Sequence, residues 1–573
     1  MSNGFLEKIV DGETVSRSNT PIVQVSSPSA LRITGARMKH WVGGGVVVVD
    51  VVIVGAGFSG LFMLHRVRQL GLTAHVFEAG DDVGGTWYWN RYPGARCDIE
   101  SVEYSYSFDD DLQQEWVWSE RFASQPEILS YLQHVAERFD LRRDIYFSTR
   151  VAGARFNDAS SLWTVSTDNG QETTCRFLIT AVGCLSSANM PNLPGRDSFT
   201  GATYHTGQWP HEGVDFTGLR VGVIGTGSSA VQSIPLIAEQ ASHLTVFQRT
   251  PTYAAPARNE TLPLDELNEV KAHYAELREG NQQMTGAYGT RTTRGDRSAF
   301  AVSDAERQQE YQDRWDKGGL ILLHGFNDLL LNKEANDTAA EFVRGKISEI
   351  VADADVAAKL TPTHVIGCKR LCLGTGYYEA YNRDNVTLVD LRSDPLETVT
   401  PTGIRSGGVE YLLDCIVYAT GFDAMTGSLL KMNIEGPTTS LAVAWEAGPR
   451  TYLGLGVHGL PNLFIITGPG SPSVLSNMVA SIEFHVEWIT DCLRAMQAHG
   501  QTRIEATETA QGRWVAHVNA IADMTLFPSC NSWYLGANVP GKPRVFMPLP
   551  GHPGYVQRCQ TIAAAGYEGF ELR

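Results

Sequence analysis

What this 573-residue chain lacks narrows its function before any motif is read. It has no C-x-x-C pair. Its nine cysteines are an odd number, and Cys368 and Cys372 stand one residue too far apart for a dithiol redox motif. The expectation is therefore scattered, buried, unpaired thiols in a reducing compartment. It has no long apolar run either. Val46–Val54 is the longest, Asp50 interrupts it, and it falls far short of the ~20 residues that cross a bilayer. Mixed polar sequence precedes that run, unlike a secretory leader. A cytoplasmic protein with no membrane contact and no obligate protein partner is expected. Positive charge is scarce: 46 Lys and Arg against 63 Asp and Glu leave a net charge of −17. Nucleic acid is a poor partner for such a surface, whereas a small anionic cofactor needs only local cations. There is no H-E-x-x-H and no dense Asp/His cluster, so no metal site is expected. There is no G-x-S-x-G elbow, which argues against a hydrolase.

What is present begins after Met1–Gly45, a Ser, Thr, Pro and Gly-rich stretch read as a flexible extension. Val51–Val54 is a β-branched run that suits a buried parallel strand. It leads into Gly55-Ala56-Gly57-Phe58-Ser59-Gly60, and Leu61–Leu70 follows with helical periodicity. Gly55 permits the turn, Gly57 lets a pyrophosphate approach the backbone, and Gly60 lets helix and strand pack closely. The helix start presents free N–H groups to phosphate. The next strand, Thr73–Glu78, ends in a carboxylate that can accept hydrogen bonds from both ribose hydroxyls and would repel a 2′-phosphate. This site is read for FAD or NAD(H). The nearby Gly84-Gly85-Thr86-Trp87 suggests closure over a flavin. Arg91–Asp98 then places two arginines and an aspartate in a Pro-Gly-rich loop beside the cofactor; a surface ion pair is the plainer alternative.

A second strand, loop and helix follow at Leu219–Ala230, with Gly225-Thr226-Gly227-Ser228-Ser229-Ala230 as the loop and Ala in place of the third glycine. The strand after it, His243–Arg249, ends in a cation where the first site has Glu78. A guanidinium there can bind a 2′-phosphate through two parallel hydrogen bonds, so this site is read for NADP(H). Two such sites in one chain imply hydride transfer from NADPH to a flavin. The fold class expected is α/β: two doubly wound, Rossmann-like domains with a helical insertion in the NADP domain. The domain limits are 46–184 and 422–573 for the FAD domain and 185–421 for the NADP domain, with the insertion at about 258–366. Gly367–Leu371 ends the insertion with adjacent cations, Lys369 and Arg370. Trp533 lies in a polar-aromatic loop near the end, where it can stack on a ring or serve as core.

Between the two loops runs Phe199-Thr-Gly201-Ala-Thr-Tyr-His205-Thr-Gly-Gln-Trp209-Pro210, which taken alone reads as a loop. It resembles the type I Baeyer–Villiger monooxygenase fingerprint F-x-G-x(3)-H-x(3)-W-P, and Phe199, Gly201, His205, Trp209 and Pro210 fill every position. The resemblance runs from about Val49 to the C-terminus and is strongest to the phenylacetone and steroid monooxygenase subgroup. It implies tightly held FAD, consumable NADPH and O2, and conversion of a ketone, bulky cyclic, polycyclic or aryl, to an ester or lactone through a C4a-peroxyflavin and a Criegee adduct. It further implies that Arg370 is catalytic and that Asp98 orients it. Phe58, Ser59, Glu78, Thr86, Trp87, Asp98, Tyr104, Val151 and Met478 match FAD contacts. Arg96, Cys97, Asp98, Thr226–Gln232, Arg249, Thr250, Lys369, Arg370 and Trp533 match NADP positions. The fingerprint, His205 included, is read as an element coupling the two domains. A flavin-dependent N- or S-oxygenating monooxygenase is the alternative reaction class. A pyridine nucleotide–disulfide reductase is disfavoured by the missing C-x-x-C.

Overall fold

The computed structural model describes residues 47–573, so the expectation for Met1–Gly45 lies outside the described residues. The apolar run becomes β1 (Val47–Val54), with Val51, Val52 and Ile53 fully buried. The turn at Gly55 feeds α1 (Phe58–Gln69), which ends where Gly71 takes a left-handed φ of 72°. The chain then adds β2 (Ala74–Phe77), β3 (Ile145–Tyr146), β4 (Val151–Asn157), β5 (Leu162–Thr167) and β6 (Glu172–Thr180). β1 lies between β2 and β6, parallel to both. That is the arrangement a continuous β-branched run demands, since both faces are covered.

A second sheet holds β7 (Ala202–His205), β8 (Arg220–Ile224) and β9 (His243–Gln248). The short pair β10 (Ala254–Pro256) and β11 (Cys372–Gly374) brackets the insertion. There α2 (Leu264–Ala272), α3 (Tyr274–Gln282), α4 (Asp304–Lys317), α5 (Lys333–Ile350) and α6 (Ala354–Leu360) carry the predicted helical pattern. Ser303 and Glu306 cap α4 reciprocally, Ser303 Oγ accepting from the Glu306 N–H at 3.3 Å and Glu306 accepting from the Ser303 N–H at 3.0 Å. β12 (Val386–Asp390), the hairpin strands β13 (Leu396–Thr400), β14 (Gly403–Ser406) and β15 (Val409–Leu412), and β16 (Cys415–Tyr418) follow. The second sheet has the order β12-β9-β8-β16-β7, and its neighbours are parallel throughout. β17 (Asn433–Glu435) and β18 (Leu463–Ile465) then return to the first sheet, beside β4 and β6. The long helix α7 (Met478–His499) packs on α1. The architecture is the α/β one expected, with a mixed first sheet, in which β5 runs antiparallel to β4 and β6, and an all-parallel second sheet. Among the described residues no helix is long and apolar enough to cross a membrane.

Two expectations are corrected. Residues 202–205 of the fingerprint form an edge strand, because β16 offers its free edge and His205 pairs with Tyr418. Cysteine pairing also differs. Cys368 and Cys530, 162 residues apart in sequence, form a disulfide with a Cα separation of 6.1 Å. The other seven cysteines are buried and free, as expected. Sequence spacing could not show the pair, because two distant loops meet only in the folded chain.

Candidate active site

At the first loop the backbone leaves no room for side chains. Gly55 has φ +104°, and a Cβ on Gly60 would lie 1.8 Å from the Gly55 carbonyl oxygen. Gly57 faces Gly85, with 3.2 Å from an added Cβ to the Gly85 Cα, so this stretch of loop rests against the Gly84-Gly85 turn. Phe58 and Ser59 are buried at the start of α1. Glu78, just beyond β2, is 5% exposed and accepts the Ala56 N–H at 2.7 Å and the Gly80 N–H at 2.8 Å. Burial raises its pKa, against the pull of those bonds. Its two oxygens brace the loop and still keep lone pairs for ribose hydroxyls. The same carboxylate therefore has a structural duty that the sequence reading missed. Thr86 and Trp87 open the short helix after the Gly-Gly turn, and the Trp87 indole donates to the Tyr104 hydroxyl at 3.3 Å. Val151 starts β4, close to the Thr149 N–H that donates to the Glu78 carbonyl at 2.8 Å. Met478 starts α7, whose N-cap Asn477 donates to the Glu103 carbonyl at 2.7 Å. The glycine loop, the Gly84-Gly85 turn and Glu78 thus form one cradle, which fits a pyrophosphate and its ribose.

The second loop repeats the design with more space. Gly225 has φ +113°, whereas a Cβ on Gly227 would meet nothing within 4 Å. Thr226 donates to the Thr250 carbonyl at 2.8 Å, and Ala230 is fully buried. Ser228 Oγ lies 3.3 Å from Cys372 Sγ, and Ser229 Oγ donates to Thr206 Oγ at 3.1 Å. Arg249 follows β9 and is exposed. Lys369 sits close enough that, after burial, the Arg249 charge is the next cause of its lowered pKa. Neither cation has an ion pair among the described residues. Two cations held together without a carboxylate form the charge set that a phosphate neutralises, so the residues present fit NADP(H).

Between the sites lies the Arg91–Asp98 loop. Gln232, on the helix after the second glycine loop, donates to the Arg96 carbonyl at 3.1 Å and accepts from Tyr92 at 2.8 Å. Arg96 is already ion-paired with Glu120, so toward the second site it offers its backbone, and Cys97 is buried with its thiol pushed up by burial. Asp98 grips Arg370 with both oxygens, from Nε at 2.8 Å and from Nη2 at 2.7 Å, while Nη1 donates to the Val474 carbonyl at 3.0 Å. Burial opposes the guanidinium's charge, but Asp98 outweighs it and holds the pKa well above the ordinary value. Tyr288 and Tyr534 flank this pair. Burial pushes both phenols above their usual range while Arg370 pulls them down. Sequence reasoning missed Tyr288, because nothing in the insertion's helical pattern marks one tyrosine as facing the site. Trp533 packs on Tyr534, with ring centroids 4.3 Å apart.

The fingerprint joins these parts. His205 is 3% exposed, accepts the Gly207 N–H at 3.0 Å and contacts Thr420 at 3.4 Å. Burial lowers its pKa, which leaves it neutral and structural in character. The Trp209 N–H donates to the Trp89 carbonyl at 3.3 Å, reaching the first site, while Thr206 reaches the second. Gly201 packs under Phe199, and Pro210 closes the stretch. No group of three or more metal-ligating side chains occurs among the described residues.

Residues 52–314 match the family model described as pyridine nucleotide-disulphide oxidoreductase. The chain is 43% identical, over 91% of its length and 98% of the relative's, to a 2-oxo-Delta(3)-4,5,5-trimethylcyclopentenylacetyl-CoA monooxygenase of Pseudomonas putida. It is 43% identical to a Baeyer–Villiger monooxygenase of Pseudooceanicola batsensis, covering 90% and 95% of the two chains. The solved structure of an oxidized steroid monooxygenase bound to NADP superimposes with a TM-score of 0.87 at 53% identity, covering 92% and 99%. With both glycine cradles, the Asp98–Arg370 pair and relatives matched over nearly their whole length, the chain belongs to the Baeyer–Villiger monooxygenases, the NADPH-dependent flavoproteins that hold FAD and NADP.

Proposed function

We propose that this chain uses O2 to convert bulky cyclic, polycyclic or aryl ketones to esters or lactones, with Arg370 as the catalytic cation and Asp98 as the residue that positions it. Bound FAD, reduced by NADPH, supplies the activated oxygen. The protein's task is then electrostatic. A guanidinium that cannot lose its proton keeps an anionic oxidant unprotonated and stabilises the oxyanion that develops on the attacked carbonyl. The observation that carries this reading is the two-point Asp98–Arg370 contact, which fixes the plane of the guanidinium. Protonated oxidants suit N- or S-oxygenation, and a permanent cation here favours the nucleophilic reaction instead.

Gly55, Gly57, Gly60 and Glu78 would hold FAD in this reading, with Thr86, Trp87, Tyr104, Val151 and Met478 as further contacts. Gly225–Gln232, Thr250, Arg249 and Lys369 hold NADP(H), the two cations on the 2′-phosphate, and Trp533 closes over the nucleotide. The fingerprint from Phe199 to Pro210 couples the domains at 46–184 with 422–573 and at 185–421. The substrate class is supported by the steroid-named relative at 53% identity. The enzyme works in the cytoplasm, with no protein partner needed. The test is NADPH consumption against small cyclic, aryl and steroidal ketones, with product masses measured. Products one oxygen heavier from the bulky ketones support the reading; turnover confined to amines or sulfides overturns it.

A further inference from the structure

We propose that Cys368 and Cys530 are positioning residues: their disulfide holds the Arg370 loop against the Trp533 loop, and a dithiol that opens it loosens the C-terminal loop over the second nucleotide site. The proposal rests on the reading of Arg370 and Trp533 given above. Cys368 directly precedes Lys369 and Arg370, and Cys530 stands three residues before Trp533. The bond therefore ties together the two segments that carry the proposed oxyanion cation, a phosphate cation and the nucleotide-covering indole.

Other polar links do not duplicate it. Among the described residues, no hydrogen bond joins 527–537 to 365–372. Within the C-terminal loop the bonds are local: Ser532 N–H to Cys530, Leu535 N–H to Ser532, Gly536 N–H to Trp533, Ala537 N–H to Ser532. The loop is fastened at its two ends instead. The Leu526 N–H donates to Leu330 at 2.8 Å; Asn538 donates to Phe422 at 2.6 Å, and Lys542 pairs with Asp423 at 2.6 Å. Between those ends the Tyr534 carbonyl accepts the Met547 N–H at 2.9 Å and the Gly536 carbonyl accepts from Arg544 at 2.6 Å, both within the C-terminal segment itself, and the disulfide is the covalent tie from that segment to the Arg370 loop. Ser532, next to Trp533, keeps a buried hydroxyl with no partner, so the loop presents an unused polar atom at its inner side.

The bond is open to attack from one end. Cys368 is fully buried, whereas Cys530 is half-buried between exposed Ser529 and Asn531. A dithiol's thiolate attacks Cys530 Sγ and forms a mixed disulfide. Cys368 leaves as a thiolate and takes up a proton. The reductant's second thiol then closes its own disulfide and frees Cys530. Two electrons and two protons pass from the dithiol to the pair, leaving two protein thiols.

The test uses the full-length holoenzyme. Alkylation in denaturant without reductant should label seven cysteines, and after dithiothreitol nine. Dithiothreitol should raise the KM for NADPH and the ketone-free release of hydrogen peroxide by about fivefold, with flavin reduction at saturating NADPH unchanged. Cys368→Ser/Cys530→Ser should behave like the reduced enzyme and ignore dithiothreitol. Nine labels without reductant would overturn the proposal. So would a shift from seven to nine that leaves KM and peroxide release unmoved, even with a lowered unfolding midpoint, since that is the mark of a bond that only stiffens the fold. If the double variant fails to fold, the wild-type comparison alone decides. Neither quantity requires ester formation, so a failed Arg370 assignment would show separately, as ester made by Arg370→Ala.

Discussion

Two residues outside the catalytic pair show how burial sets charge in this molecule. Glu103 is 2% exposed, accepts the Gly289 N–H through both oxygens, at 3.0 and 3.2 Å, and has its pKa raised to about 7 by burial and by Glu100. A carboxyl whose folded pKa lies above its unfolded one holds its proton more tightly when folded. The stability it confers is full below pH ~4.5 and is lost as pH rises toward 7. Glu103→Gln should flatten the fall of the unfolding midpoint between pH 5 and 7 relative to wild type and raise the midpoint at pH 8; parallel curves for the two proteins would contradict this. Arg249 is the opposite case, an exposed cation with no protein partner among the described residues. Arg249→Ala should raise the KM for NADPH about 10- to 100-fold, the loss of one or two charged hydrogen bonds, and leave that for NADH nearly unchanged. An equal rise for both nucleotides would place the 2′-phosphate elsewhere. The Glu78 and Arg249 contrast was legible from strand ends alone. Glu103 was not, since nothing beside Tyr104 announces that its carboxyl will be buried against a glycine from the insertion.

At the scale of elements, the two glycine loops look alike in sequence and differ in tolerance. A methyl on Gly60 collides with the Gly55 carbonyl, whereas one on Gly227 enters open space. Gly60→Ala should therefore yield little folded, FAD-loaded protein. Gly227→Ala should fold with full flavin content and lose NADPH affinity, because its methyl points where a pyrophosphate must approach. Flavin absorbance of the purified variants and NADPH titrations separate the two, and a fully flavin-loaded Gly60→Ala would contradict the packing argument. Both loops could be read from sequence because strand, turn and helix follow one another locally. The edge strand at Ala202–His205 could not, because its partner β16 lies more than 200 residues away and neighbouring glycines and a proline mimic a loop. The disulfide escaped for the same reason. Cys368 and Cys530 meet only after the insertion and the C-terminal segment have folded onto the same site.

Across the whole molecule, the two sheets with their glycine loops are joined by the fingerprint, the Arg91–Asp98 loop and the C-terminal segment, and the proposed function assigns hydride delivery to one loop and oxygen handling to the other. The α/β class and the two cofactors followed from the sequence, since each rests on local patterns. The Asp98–Arg370 contact spans 272 residues and was anticipated only through the family resemblance. If the account is right, the reductive and oxygenating halves of the cycle are separable at Arg370. The measurement is single turnover by Arg370→Ala: anaerobic reduction of FAD by NADPH, followed by mixing with oxygenated buffer and a ketone. The account predicts flavin reduction within about tenfold of wild type and ester formation reduced at least ~100-fold, with Arg370→Lys recovering part of it. Ester formed by Arg370→Ala at the wild-type rate would contradict the assignment.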